Sequence, residues 1–174
     1  LDTDDRNNAR ALFDRSESSG IEPFVWRELG NGAVIPGVAR QALLTDLLIL
    51  GQHDAADPLT IGVPSDFVAS VLLASGRPAL VVPYVDIGTT FGRQVLIAWK
   101  ATRESAHALT AAIPFLRLAE RIHLTIDDER DAIAEQATAL EELLRSHGVR
   151  APIQHHSPVP AETPGDGLLS LAAD

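Results

Sequence analysis

The sequence predicts an α/β protein with a parallel sheet. Short, continuously apolar runs, such as Leu47-Leu48-Ile49-Leu50 and Pro78-Ala79-Leu80-Val81-Val82-Pro83, alternate with segments of helical period. Runs that are apolar throughout, rather than at every second residue, are expected of strands covered by helices on both faces. Strands separated by helical segments imply right-handed βαβ crossovers.

Each element has its own local signal. Residues 5–19 place Ala9, Leu12, Phe13 and Ser16 at helical spacing, with Gly20 as the stop. Pro23-Phe24-Val25-Trp26-Arg27-Glu28-Leu29 is rich in strand formers and is broken by Gly30-Asn31-Gly32, so a strand is predicted there. Residues 34–44 read as a short helix, 47–50 as a strand, 67–74 as a helix and 78–83 as a strand. Val85 to Arg93 has neither period and contains two glycines, which marks a boundary. Beyond it, 94–99 reads as a strand. Residues 104–119 read as a helix with Ala108, Leu109, Ala112, Ile113 and Leu116 on one face. Residues 122–126 follow as a strand. Residues 129–147 form a helix closed by Gly148, with Ala139, Leu140, Leu143 and Leu144 inward and Glu141, Glu142 and Arg145 outward. Residues 151–159 complete the strands, and Asp166 stands where it could cap a last helix over 167–173.

Composition narrows the function. The 174 residues carry a formal charge of -10, with no cluster of Lys and Arg, which argues against a nucleic-acid surface. With no cysteine there are no disulfides, thiolate metal sites or cysteine nucleophiles, and a reducing cytoplasm fits. No apolar stretch reaches the roughly 18 residues needed to span a bilayer, so no membrane association is expected. Methionine is also absent, as expected of a trimmed or partial chain.

The stretches "TDLLILGQ", "VPSDFVASVLLASGRPALVVPY" and "RQVLIAWKATRESAHALTAAIPFLRLA" resemble the universal stress protein family, in particular its tandem two-domain members. The resemblance covers nearly the whole chain, in an unusual phase. It implies a flavodoxin- or Rossmann-like sheet of order 3-2-1-4-5, here split between two units. Residues 1–85 correspond to the back part of a first domain, 86–93 to a linker and 94–174 to the front part of a second. That order requires the innermost strand to sit between the two halves. Either the missing parts lie beyond this chain, or residues 95–99, 122–126 and 151–159 complete the sheet beside 47–50. The resemblance also implies pairing through an edge strand. Leu80-Val81-Val82 is that edge, giving a homodimer or a tandem pseudo-dimer.

The family's ATP motif is Gly, two residues, Gly, nine residues, then Gly-Ser or Gly-Thr. Its spacing survives at Gly51, Asp54 and Pro64-Ser65, but its chemistry does not. Asp54 puts a carboxylate where phosphate oxygens would sit, and Pro64 lacks the backbone N–H that glycine offers. Asp66 adds a further negative charge at the helix start. Lys100 stands where nucleotide-binding members carry an Asp that contacts the nucleoside, and reads equally as a phosphate partner or a solvated loop residue. These positions amount to a degenerate site, with no cofactor expected beyond weak ATP or AMP.

Other polar groups read as structural. His155 and His156 are adjacent, so a strand sends them to opposite faces and they cannot share a metal. Asp127-Asp128-Glu129 sits at a strand's carboxyl end, where a divalent cation is imaginable and a solvated capping cluster is the simpler reading. His53 beside Asp54 lacks the nucleophile elbow of a hydrolase. Trp26 and Trp99 read as core or interface anchors. The leading expectation is a non-catalytic stress-response or regulatory module. The alternatives are an adenine-nucleotide sensor and a nucleotide hydrolase.

Overall fold

The computed structural model describes residues 3–17, 24–30, 32–54, 63–84, 91–128, 130–157 and 163–173. The chain is α/β and divides into two compact units, Leu1–Asp86 and Ile87–Asp174. Its strands form two parallel sheets. The expected Gly20 stop, most of the 85–93 boundary, Glu129 and the end of the 151–159 run lie outside the described residues.

The first unit contains α1 (Thr3–Glu17), α2 (Val34–Ala42), β1 (Leu48–Gly51), α3 (Phe67–Ser75) and β2 (Ala79–Val82). β1 and β2 pair in parallel, with Leu48 opposite Ala79 and Gly51 opposite Val82. Leu48 is buried with Ala42 of α2 and Val71 of α3, and Ile35, Val38, Leu50, Phe67 and Ala79 pack around them. Side chains alternate along a strand, so this covers one face of the pair only. Ile49, on the other face, is 68% exposed. The continuous apolar run therefore does not correspond to a strand covered on both sides. α3 ends at Gly76, whose φ of 62° places it in the left-handed region, with its N–H donating to the Leu72 carbonyl at 2.8 Å.

The strand expected at residues 23–29 is not formed over the described part, 24–30. Propensity alone does not make a strand; it needs a ladder partner. These residues instead dock on α1 through aromatic contacts. The Phe13 ring meets Phe24 and Trp26 edge-on at 5.9 and 5.5 Å, and the Arg10 guanidinium lies over Phe13 and Trp26. Trp26 Nε1 donates to Glu28 Oε1 at 3.0 Å, and Arg6 pairs with the same carboxylate. Trp26 is an anchor, as expected, but not from a strand.

The second unit contains β3 (Gln94–Trp99), α4 (Arg103–Leu116), β4 (Arg121–Ile126), α5 (Arg130–Ser146), β5 (Ile153–His156) and α6 (Pro164–Ala173). Its sheet runs β3-β4-β5, with β4 in the middle. Ile122, Leu124 and Ile126 of β4 point to one face and are buried with Leu109, Ile113 and Leu116 of α4 and Ala137, Leu140 and Leu144 of α5. Strands added in chain order put successive crossover helices on the same side, which explains one shared core. The buried stripe of α5 is Ala137, Leu140 and Leu144; Ala139 and Leu143, expected inward, are exposed. On α4, Ala108 is likewise exposed. Gly148, at φ 80°, closes α5 as expected, and Val149 N–H returns to the Leu144 carbonyl. At α6 the cap is Thr163 rather than Asp166. Thr163 Oγ1 accepts from Asp166 N–H at 3.2 Å and donates to Asp166 Oδ2 at 2.7 Å, with Pro164 at the first helical position.

Candidate functional site

The two sequence-derived nucleotide elements lie in different units. In the first, Gly51 ends β1 in open surroundings, with nothing described within 4 Å of an added Cβ and no positive φ. The next residue, Gln52, donates its N–H to the Val82 carbonyl at 2.7 Å, so the ladder runs to the mouth of the loop. Asp54 follows, half-buried, and residues 55–62 lie outside the described residues. The chain is described again at Val63. Pro64 and Ser65 are exposed, and the Pro64 carbonyl accepts the Phe67 N–H at 2.9 Å, forming the turn into α3.

Helix starts leave N–H groups without intrahelical partners, and these attract anions. Here the residue at the cap is Asp66, whose carboxylate makes no capping bond and instead accepts from Ser70 Oγ at 2.9 Å. The entrance to α3 thus presents Pro64, which has no N–H, and the Asp66 carboxylate, with Asp54 on the strand side of the same connection. Among the described residues that set is negative, which opposes a triphosphate even though the first-turn N–H groups of α3 carry no side-chain cap.

In the second unit, the carboxyl ends of β3 and β4 lie side by side, with Trp99 opposite Ile126. Lys100 and Asp127 therefore leave the sheet together. Lys100 Nζ donates to Asp127 Oδ2 at 3.0 Å, an exposed pair, and Asp127 N–H donates to the Trp99 carbonyl at 2.9 Å. The lysine is thus held by a neighbouring carboxylate, an arrangement that sequence distance concealed. Trp99 packs on the core of this unit and donates Nε1–H to Gln136 Oε1 at 2.9 Å, while Gln136 reaches Asp128. Asp127 and Asp128 are thereby engaged by a lysine and an amide. Among the described residues, no three His, Asp or Glu side chains converge on a point that could hold a metal ion.

The turn between β3 and α4 is well capped. Thr102 Oγ1 accepts from Ser105 N–H at 3.2 Å. The adjacent Glu104 carboxyl is held below its ordinary range, chiefly by its own backbone N–H at the helix start. Desolvation acts against this, and the Thr102 hydroxyl, Arg103 and His107, each a smaller influence, act with it.

His155 and His156 project to opposite faces of β5, as expected. His155 Nε2 lies 2.7 Å from Glu141 Oε1 on α5. His156 Nε2 meets His123 Nδ1 of β4 at 2.8 Å on the other face. This second contact was not visible in sequence, because it depends on the register that sets His123 opposite Gln154 and Thr125 opposite His156. Burial, then His156 and Arg121, push the His123 ring below the usual histidine range.

No helix among the described residues is long and apolar enough to cross a membrane. Set against protein-family models, curated proteins and solved structures, the chain matches none of them.

Proposed function

We propose that the chain is a non-catalytic module of universal-stress type, acting in stress response or regulation in the cytoplasm, with a nucleotide loop that has lost triphosphate binding. The observation that carries this reading is the acidic entrance to α3, where the Asp66 carboxylate stands at the cap and Pro64, two residues before it, has no N–H to offer. The strand neighbours are compatible with a 3-2-1-4-5 order divided between two units: β3-β4-β5 would be the 1-2-3 side and β1-β2 the 4-5 side. A carboxylate about 4 Å from phosphate costs on the order of 1 kcal/mol in water and about 4 at an effective dielectric near 20. A lost backbone donor adds roughly 0.5 to 1.5 kcal/mol. Affinity for ATP then falls by about two decades or more from that of an intact loop. Calorimetry tests this: the unmodified chain binds ATP no better than roughly millimolar, and Asp54→Gly with Pro64→Gly strengthens binding. Micromolar ATP binding at this loop in the unmodified chain would favour the alternative, an adenine-nucleotide sensor.

The module pairs through the free edge of β2, as a homodimer or a tandem pseudo-dimer. Among the described residues β2 is laddered to β1 alone, and Leu80 to Val82 form the other edge. Light scattering that returns a monomer at high concentration would count against a homodimer.

A further inference from the structure

We propose that His123 and His156 form a two-imidazole clamp for a borderline divalent cation, of which Zn2+ is the probe, on the face of the second unit's sheet opposite α4 and α5. The register places these residues diagonally on neighbouring strands: His123 lies opposite Gln154, and His156 is two residues further along the same face. The rings are 5.0 Å apart between centroids, and His123 Nδ1 and His156 Nε2 are 2.8 Å apart.

A third residue fixes the chemistry. Gln94 Oε1, on β3, lies 3.2 Å from His123 Nε2. In the tautomer that donates His123 Nε2–H to this amide oxygen, Nδ1 presents its lone pair towards His156. This is the arrangement of metal-binding histidines, whose distal N–H donates to an oxygen that sets the tautomer and orients the ring. In that tautomer, and without a metal, His156 Nε2–H is the donor to that lone pair. With a metal, the proton moves to His156 Nδ1, both rings ligate as neutral imidazoles, and no net proton is released.

Accommodating the ion takes both an opening and a tilt of the two rings, whose nitrogens now face each other nearly head-on. Two Zn–N bonds of about 2.0 to 2.1 Å at a tetrahedral angle set the nitrogens about 3.3 Å apart, so the pair has to open by about 0.5 Å from its present 2.8 Å. Water completes the coordination, since no third His, Asp or Glu among the described residues joins the pair. Imidazole donors select zinc or copper over magnesium and calcium. Arg121 shares this face and opposes a cation, but its side chain is exposed and solvent weakens the repulsion.

The test is a calorimetric titration of the chain with Zn2+ at neutral pH, with the ring resonances of all six histidines followed by NMR. The first equivalent shifts His123 and His156, and His123→Gln or His156→Gln each lowers affinity at least tenfold. Gln94→Leu keeps both imidazoles and lowers affinity roughly 10- to 100-fold, as loss of an orienting acceptor does. His107→Gln, on the exposed side of α4, leaves the titration unchanged. The proposal is overturned if Zn2+ does not bind, if the first equivalent shifts other histidines such as His155, or if His156→Gln binds as the parent does. Should His123→Gln fail to fold by circular dichroism, His156→Gln and Gln94→Leu decide the matter.

Discussion

Replacing Leu116 by alanine tests whether the second unit is held by the core described for it. Leu116 is completely buried on α4, against β4 and α5, whereas Leu118, two residues on, is 80% exposed. Removing three buried carbons costs roughly 2.4 kcal/mol at about 0.8 per methylene. A residual void of roughly 50 Å3 adds about 1.2 kcal/mol at about 24 cal/mol per Å3, for a total near 3.6, inside the usual range for buried leucines. Leu118→Ala should cost less than about 0.5 kcal/mol. Trp99 packs on this core and reports on it by fluorescence, with Trp26→Phe silencing the other tryptophan. With a urea m-value of about 1 to 1.5 kcal/mol/M, the Leu116→Ala midpoint falls by roughly 2.4 to 3.6 M. A variant already unfolded without urea is the limiting form of the same result. Equal midpoints for Leu116→Ala and Leu118→Ala would refute the packing argument.

Gly148→Ala should destabilise the second unit by about 1 to 2 kcal/mol, because φ there is 80° and the added Cβ meets nothing closer than Arg117 Nε at 3.7 Å, leaving backbone strain as the cost. Gly51→Ala, with nothing described near an added Cβ and an unstrained φ, should change the stability read by urea unfolding by less than about 0.5 kcal/mol, so any effect of that substitution on ligand binding reports on the ligand. Thr102→Ala removes the acceptor for Ser105 N–H and should cost about 0.5 to 2 kcal/mol by thermal melting. The same change should raise the Glu104 titration midpoint part of the way towards the ordinary value, read by carboxyl NMR, since the Thr102 hydroxyl is one of the groups lowering it. Because folding depresses this pKa, the stabilisation from Glu104 is present above its unfolded value and is lost as the pH falls through the folded one. Lys100→Ala should change stability by less than about 1 kcal/mol, because its pair with Asp127 is exposed on both sides.

The helices and most strands were legible because each carries its own period and its own stop. Gly148 closes α5, as read from the sequence, and the structure adds Gly76, in the same left-handed region, as the stop of α3. Misreadings occur where structure depends on a partner distant in sequence. Residues 24–30 have the composition of a strand, yet their aromatic rings found α1 instead of a ladder. Ile49 has the apolar character of a doubly covered strand, and no cluster of buried residues includes it. The inward face of α5 was displaced because adjacent leucines, Leu143 and Leu144, offer two stripes, and only packing against β4 selects Leu144. Asp166 resembled a cap because Asp and Thr are both favoured cap residues, and only the Asp166 N–H bond to Thr163 Oγ1 shows which of them caps. The Lys100–Asp127 and His123–His156 contacts depend on strand register, which no local pattern encodes.

The order β3-β4-β5 also bears on how the second unit assembles. Every ladder in it joins strands that follow one another along the chain, separated by a single helix. No loop longer than one crossover has to close before pairing begins, so the entropic barrier is that of one βαβ step repeated. The unit can grow by accretion from β3 towards β5 as the chain leaves the ribosome, each added strand finding its template already in place. Its refolding rate should accordingly be insensitive to lengthening the segment between β5 and α6, and sensitive to lengthening the turn between α4 and β4.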